Sequence, residues 1–296
     1  MKFGTRLRTG LLVLASVGLL ASCSAIKLGY NNSVTIAYTY LSSKVDFSAE
    51  QSSQIKTSLA EIVQWHRRNE LPTLARELET ARVALAANGN AVVPVSSEQV
   101  QALNQAIRDS LRRTADHAAP LIAKNMLTLT PAQIQEIQKA LDKSNKEYQA
   151  ERIQLSPTKQ AQASAERMTE RFERWLGNLN PAQKTLIATW SRNDINQAGE
   201  YFQKRVERQQ QFMRLAQQAS NQQIDAGSLS QEIAGLLNAW QTSASSAERN
   251  DNEKRQKVTI DLVVNVLNAA TVDQRNKAAE RAAGWAEDFQ ILARND

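Results

Sequence analysis

Apolar side chains recur at three- and four-residue spacing along most of this chain. Val100, Leu103, Ile107 and Leu111 lead into Ala118 and Leu121. Ile134, Ile137, Leu141 and Tyr148 form a second stripe, Ala161, Ala165, Met168, Phe172 and Trp175 a third, and Ala278, Ala282, Trp285, Phe289 and Leu292 a fourth. Such spacing lines one helix face with apolar groups and leaves Gln, Lys, Arg and Glu on the other, so each stripe predicts an amphipathic helix in need of a partner. Only 10 Gly and 6 Pro interrupt the chain, and β-branched runs are nearly absent, so propensity favours helix almost throughout. The expected fold is all-α, an elongated bundle of long amphipathic helices.

Helix starts carry a recurrent signature: an apolar residue, then Ser, Thr or Asn, then two residues, then Gln. It occurs at Phe47 to Gln51, Val95 to Gln99, Leu129 to Gln133 and Leu179 to Gln183, with a weaker form at Ala270 to Gln274. The small polar side chain can accept the N–H three residues on while Gln reaches back to the cap's own N–H, satisfying two orphan donors. Pro131 and Pro181 stand where a missing N–H costs nothing. From Asn180 to about Asn221 only Gly199 intervenes, which predicts one long helix. Ala87 to Asn90 with Pro94, Ser156-Pro157 and Asp225 to Gly227 are expected loops.

The N-terminus is different. Lys2, Arg6 and Arg8 precede an apolar run from Leu11 to Leu20, which has the length of a signal peptide's core and is too short for the ~20 residues of a spanning helix. Leu20-Ala21-Ser22-Cys23 resembles a bacterial lipobox, in which the cysteine is the only one of the chain. That resemblance implies cleavage before Cys23 and a covalent lipid on it, with fatty acids such as palmitate, enough acyl chains for stable anchoring. Ser24, by resemblance to enterobacterial-type lipoproteins, implies sorting to the outer membrane with the body facing the periplasm. No cysteine then remains for a disulfide, so stability must come from packing. Loss of Lys2, Arg6 and Arg8 reduces the formal charge from +6 to +3. A surplus that small outside the cytoplasm argues against nucleic acid and for anionic envelope surfaces. The expected organisation is signal peptide 1–22, lipidated N-terminus and short anchor-proximal helix 23–44, and helical body 45–296, with a subdivision best placed near 156.

Two further resemblances follow. Leu129-Thr130-Pro131-Ala132-Gln133 is similar to the LTxxQ motif of the Spy and CpxP class of periplasmic proteins, although its physics is that of a good capping box. The lipobox, Leu28 to Asn32, Val45 to Gln51, Trp65 to Pro72 and Arg171 to Gln183 together resemble an uncharacterised family of proteobacterial lipoproteins with a domain of unknown function. The likeness implies a helical, lipid-anchored envelope protein and carries no activity.

One polar cluster stands out. The stripe Ile55, Leu59, Ile62 continues at +4 into His66 and Glu70, so an imidazole and a carboxylate lie one turn apart on the face expected to be buried. Pro72 should push Leu71 out of helical geometry and break the chain beside them. Trp65, His66, Arg67 and Glu70 form the candidate site, read first as a satisfied network that orients the first helices, then as a recognition pocket, and last as an acid–base pair. His117 stands on its own helix with no cysteine or paired carboxylate at ligand spacing, so no metal is expected. Tyr30, Tyr38 and Tyr40, with Val34, Ile36 and Leu41, should pack on the bundle in preference to lying on a membrane. Arg205, Arg208 and Arg214 read as a solvated basic face. The function expected is non-catalytic, with no cofactor beyond the lipid: an outer-membrane lipoprotein that binds or organises an envelope protein, glycan or lipid. A Spy-like holdase is the alternative, and an enzyme using His66 and Glu70 the third reading.

Overall fold

The computed structural model of the chain describes residues 25–86, 93–193, 197–239 and 246–294. The architecture is the all-α bundle expected, with no strand among the described residues. A helical stretch α1 over 25–31 is followed by α2 (Ser33–Ser42), α3 (Ala49–Asn69), α4 (Leu71–Leu85), α5 (Ser97–Met126) and α6 (Pro131–Tyr148). A π-helical turn at Gln149–Ile153 leads to α7 (Pro157–Leu176), α8 (Pro181–Asn193), α9 (Gln197–Ser220), α10 (Ala226–Asn238), α11 (Ser246–Asn268) and α12 (Val272–Arg294). The single helix expected over 180–221 is described as α8 and α9; residues 194–196 between them lie outside the described residues, as do 87–92 in the expected loop before Pro94.

All five capping boxes form, and four of their glutamines do more than cap. Gln51 donates to Gln133 Oε1 at 3.0 Å and Gln133 donates back to Gln51 Oε1 at 2.7 Å, joining the starts of α3 and α6. Gln274 donates to Gln183 Oε1 at 3.1 Å, a one-way bond that joins the starts of α12 and α8. Each amide also reaches a carbonyl that no helix satisfies or that ends one: Thr128 and Asp46 in the first pair, Val266 and Asn178 in the second. A buried amide needs all its partners, so each pair fixes two helix starts against each other.

The apolar core falls into two clusters. One gathers Leu85, Phe172, Leu176, Leu179, Ile187, Leu262, Val266 and Ala278 from α4, α7, α8, α11 and α12. The other gathers Ala119, Ala123, Met126, Ile134, Met213, Ala216, Leu229 and Ile233 from α5, α6, α9 and α10. α12 packs most heavily on α4, and α10 on α5. Arg275 is fully buried at the first cluster, where its guanidinium donates to the carbonyls of Ala84, Leu85 and Val93 at 2.7 to 3.0 Å and, at 3.3 Å, to that of Leu267. It thereby closes the C-terminal ends of α4 and α11, where the helix dipole favours a cation.

Three expectations need correction. Ile107 and Leu111 are 43% and 48% exposed, because α5 turns Ser110, Ala118, Ala119, Ala123 and Met126 inward; small side chains there let a neighbouring helix approach closely. Leu71 is the first residue of α4 and is buried; the chain breaks one residue earlier, at Glu70, so that Pro72 falls in the first turn of a new helix, where it needs no N–H donor. Asp225 to Gly227 is a helix start: the Asp225 carboxylate accepts the N–H groups of Gly227 and Ser228 and caps α10.

Candidate functional site

The expected cluster forms at the α3–α4 junction, but its members bond outward to other helices. Glu70 ends α3 and precedes α4, its N–H donating to the His66 carbonyl at 2.9 Å and its own carbonyl accepting from Leu74 at 3.0 Å. Its side chain is 1% exposed and is gripped by Arg113 of α5, Nε to Oε1 at 2.8 Å and Nη2 to Oε2 at 2.7 Å. Burial pushes the Glu70 carboxyl up, yet the bonds from Arg113 and Ser110, with the charges of Arg113 and His66, outweigh it and hold the group below the usual carboxylate range.

His66 faces the opposite way, toward α1. Its Nδ1 lies 2.7 Å from the Tyr30 hydroxyl, with the rings 5.9 Å apart. Burial pushes the imidazole down, against the pull of the Glu70 charge, and burial pushes the Tyr30 phenol up to about 12. A neutral imidazole beside a protonated phenol suits donation from Tyr30 to Nδ1, with the ring proton on Nε2. Arg67 donates to Asn31 Oδ1 at 2.7 Å and lies over the Tyr30 ring at 5.3 Å. Trp65 stacks on His117 of α5, centroids 4.6 Å apart and planes 10° from parallel.

Tyr30, Asn31, Ser110, Arg113 and His117 are therefore the members that spacing along α3 does not reveal. His66 and Glu70 share a helix face, yet each spends its hydrogen-bonding capacity on a different neighbour. His117, set aside as a lone ring, supplies the Trp65 stack, and its buried Nε2 has no partner among the described residues. Among the described residues no group of three or more His, Cys, Asp or Glu side chains could hold a metal ion. Cys23 lies outside the described residues.

The anchor-proximal helices dock through polar tips. Lys27 Nζ is 3.2 Å from Oδ1 of buried Asp288 on α12, and Tyr38 donates to Ser52 Oγ on α3 at 2.8 Å. Tyr30, Tyr38 and Val34 are half-buried against the body, while Leu28, Ile36, Tyr40 and Leu41 remain exposed. Of the basic stretch on α9, Arg205 turns inward to Ser144 and Asn145 of α6 and lies 5.6 Å from the Tyr148 ring, so it is no part of a solvated face. No described helix is long and apolar enough to cross a membrane.

Neither the curated proteins nor the solved structures include a match to this chain. The profile of one protein family matches residues 43–225, which covers α3 to α9 and most of the residues just described. The match spans more than half of the chain, and the protein belongs to that family, described as Family of unknown function (DUF6279).

Proposed function

We propose that the protein is a non-catalytic lipoprotein, anchored through acylated Cys23 to the outer membrane and facing the periplasm, where its helical body binds or organises another envelope component. The observation that carries this reading is the clamp on the first described residues: Lys27 on Asp288, Tyr30 on His66 and Asn31 on Arg67. Lys27 follows Cys23 by four residues, a reach of at most about 14 Å in extended chain. A lipid on Cys23 then seats the body on the bilayer instead of leaving it on a tether. The exposed Leu28, Ile36, Tyr40 and Leu41 lie beside that point, where apolar and tyrosine side chains suit a headgroup boundary. The polar cluster supports a structural role, since Arg113 occupies both Glu70 oxygens and Tyr30 occupies His66 Nδ1.

Membrane fractionation of cells expressing the wild type and Cys23→Ala, with mass analysis of the N-terminal peptide, tests the anchor. Acylated wild type in the outer membrane and released variant support it; an unmodified cysteine overturns it. A holdase is the second reading, favoured by exposed Ile107 and Leu111 on α5. It predicts that the full chain in excess slows aggregation of an unfolded client and that Ile107→Gln with Leu111→Gln weakens the effect; no slowing removes it.

A further inference from the structure

A second group of positive side chains lies away from the polar cluster. A cavity of about 440 Å³ opens between the end of α6, the π-helical turn, α7, Trp190 of α8 and the first turns of α9. Arg152, Arg167 and Arg171 all line it, and none makes a hydrogen bond or ion pair with a described residue. Among the described lining residues Glu151 is the one carboxylate. The Trp190 indole also lines it, and its Nε1 is buried without an acceptor among the described residues.

These features need a ligand to make sense of them. Guanidiniums gathered around one cavity repel each other, and Arg167 shows the result: burial, then the charges of Arg152 and Arg171, hold it below the usual arginine range. A buried indole N–H without an acceptor loses the hydrogen bond it had in water. The π-helical turn, closed by Gln154 N–H donating to the Gln149 carbonyl at 2.9 Å, carries Arg152 into the lining; such turns are found disproportionately at functional sites. An anion answers all three, since it would pair the guanidiniums, relieve their repulsion and accept from Trp190.

We infer that this cavity is a binding site for a small molecule or headgroup bearing a phosphoryl group, held by Arg152, Arg167 and Arg171 with the Trp190 indole N–H as a further donor. Among the described lining residues, three arginines against Glu151 leave a surplus of two positive charges. A carboxylate neutralises one of these, whereas a phosphomonoester or pyrophosphate carries about two negative charges or more at neutral pH. The cavity is larger than a phosphate needs, and Leu155, Met168 and the Trp190 ring offer an apolar wall to the rest of the molecule. The site lies within the family-matched residues and does not depend on the anchor or on the seating proposed above.

The test uses the full chain in neutral detergent. Inorganic pyrophosphate is titrated by calorimetry, and short-chain phosphatidylglycerol is compared with short-chain phosphatidylcholine in the same way, each with wild type, Arg167→Gln and Arg171→Gln. Saturable pyrophosphate binding, weakened roughly tenfold or more in either variant, supports a soluble phosphorylated ligand. Binding to phosphatidylglycerol alone, lost in the same variants, supports a lipid headgroup. Because each substitution relieves repulsion, the thermal midpoint should stay level or rise while binding falls, a pairing that a purely structural arginine would not give. No saturable binding of either probe, or binding that survives both substitutions, overturns the inference.

Discussion

Arg113 holds Glu70 with both arms of its guanidinium fork, at 2.8 and 2.7 Å, across 43 residues of sequence. The bond ties the α3–α4 junction to the middle of α5, and it accounts for a carboxylate that is 1% exposed at a chain break. Arg113→Met removes the partner and leaves the charge buried. The arginine side chain is 40% exposed, so the full loss for a buried pair is discounted, and a destabilisation of about 2–3 kcal/mol is expected by chemical denaturation. Glu70→Gln should cost less than Arg113→Met, since the charge it leaves unpaired, on Arg113, is 40% exposed and not buried.

Two pH windows separate the members of the cluster. The folded-state imidazole of His66 titrates below its unfolded value, so the unfolded chain binds the extra proton and stability falls as pH drops below about 6.5. Glu70 titrates below its own unfolded value, so its contribution is present above about pH 4.5 and is lost as pH falls through the folded value. Thermal midpoints between pH 7.5 and 5 should decline in the wild type and flatten in His66→Gln, whereas Glu70→Gln should flatten only the further fall below about pH 4.5. An unchanged slope in His66→Gln would contradict the assignment of a neutral buried ring.

The glutamine pairs predict coupling between distant helix starts. Gln133→Ala removes both a cap partner and the bonds to Gln51 and the Asp46 carbonyl, and should cost roughly 1–3 kcal/mol. Once Gln51 is replaced, part of that loss has already been incurred, so the Gln51→Ala, Gln133→Ala double variant should fall short of additivity by about 0.5 kcal/mol or more. Additive losses would mean that each box acts alone.

Arg275 should be the most sensitive single position in the first core cluster. Arg275→Met keeps much of the volume but leaves the carbonyls of Ala84, Leu85 and Val93 without this donor. The expected loss is on the order of 3 kcal/mol in denaturant unfolding. A variant within about 0.5 kcal/mol of wild type would show that water satisfies those carbonyls equally well.

How much of this was legible in the chain depends on the range of the interaction. The five capping boxes are local, each made within three residues, and all five stand where the polar-to-Gln spacing placed them. The all-α fold followed from helical periodicity and the scarcity of breakers. The face that α5 buries was misread, because Ile107 and Leu111 satisfy the period while the contact is made by Ser110 and alanines further along. His66 and Glu70 stand out in the sequence as polar groups one turn apart on an apolar stripe, but helix spacing cannot show that Arg113 and Tyr30, 43 and 36 residues away, are their partners. The arginine cavity left no sequence signal at all, since Arg152, Arg167 and Arg171 look like ordinary helix-surface charges until the π-helical turn and α7 bring them together.

The seating of the body on a bilayer is tested most directly by photo-crosslinking to lipid in intact cells. A photoreactive side chain is placed at Ile36 and separately at Tyr40, both exposed beside the clamp, with exposed Gln210 on α9 as the comparison. The account predicts lipid adducts from positions 36 and 40 and none from 210, with the adducts weakened when Tyr30→Phe and His66→Gln together loosen the clamp. Equal lipid labelling at all three positions, or none at 36 and 40 in a protein that remains acylated, would contradict it.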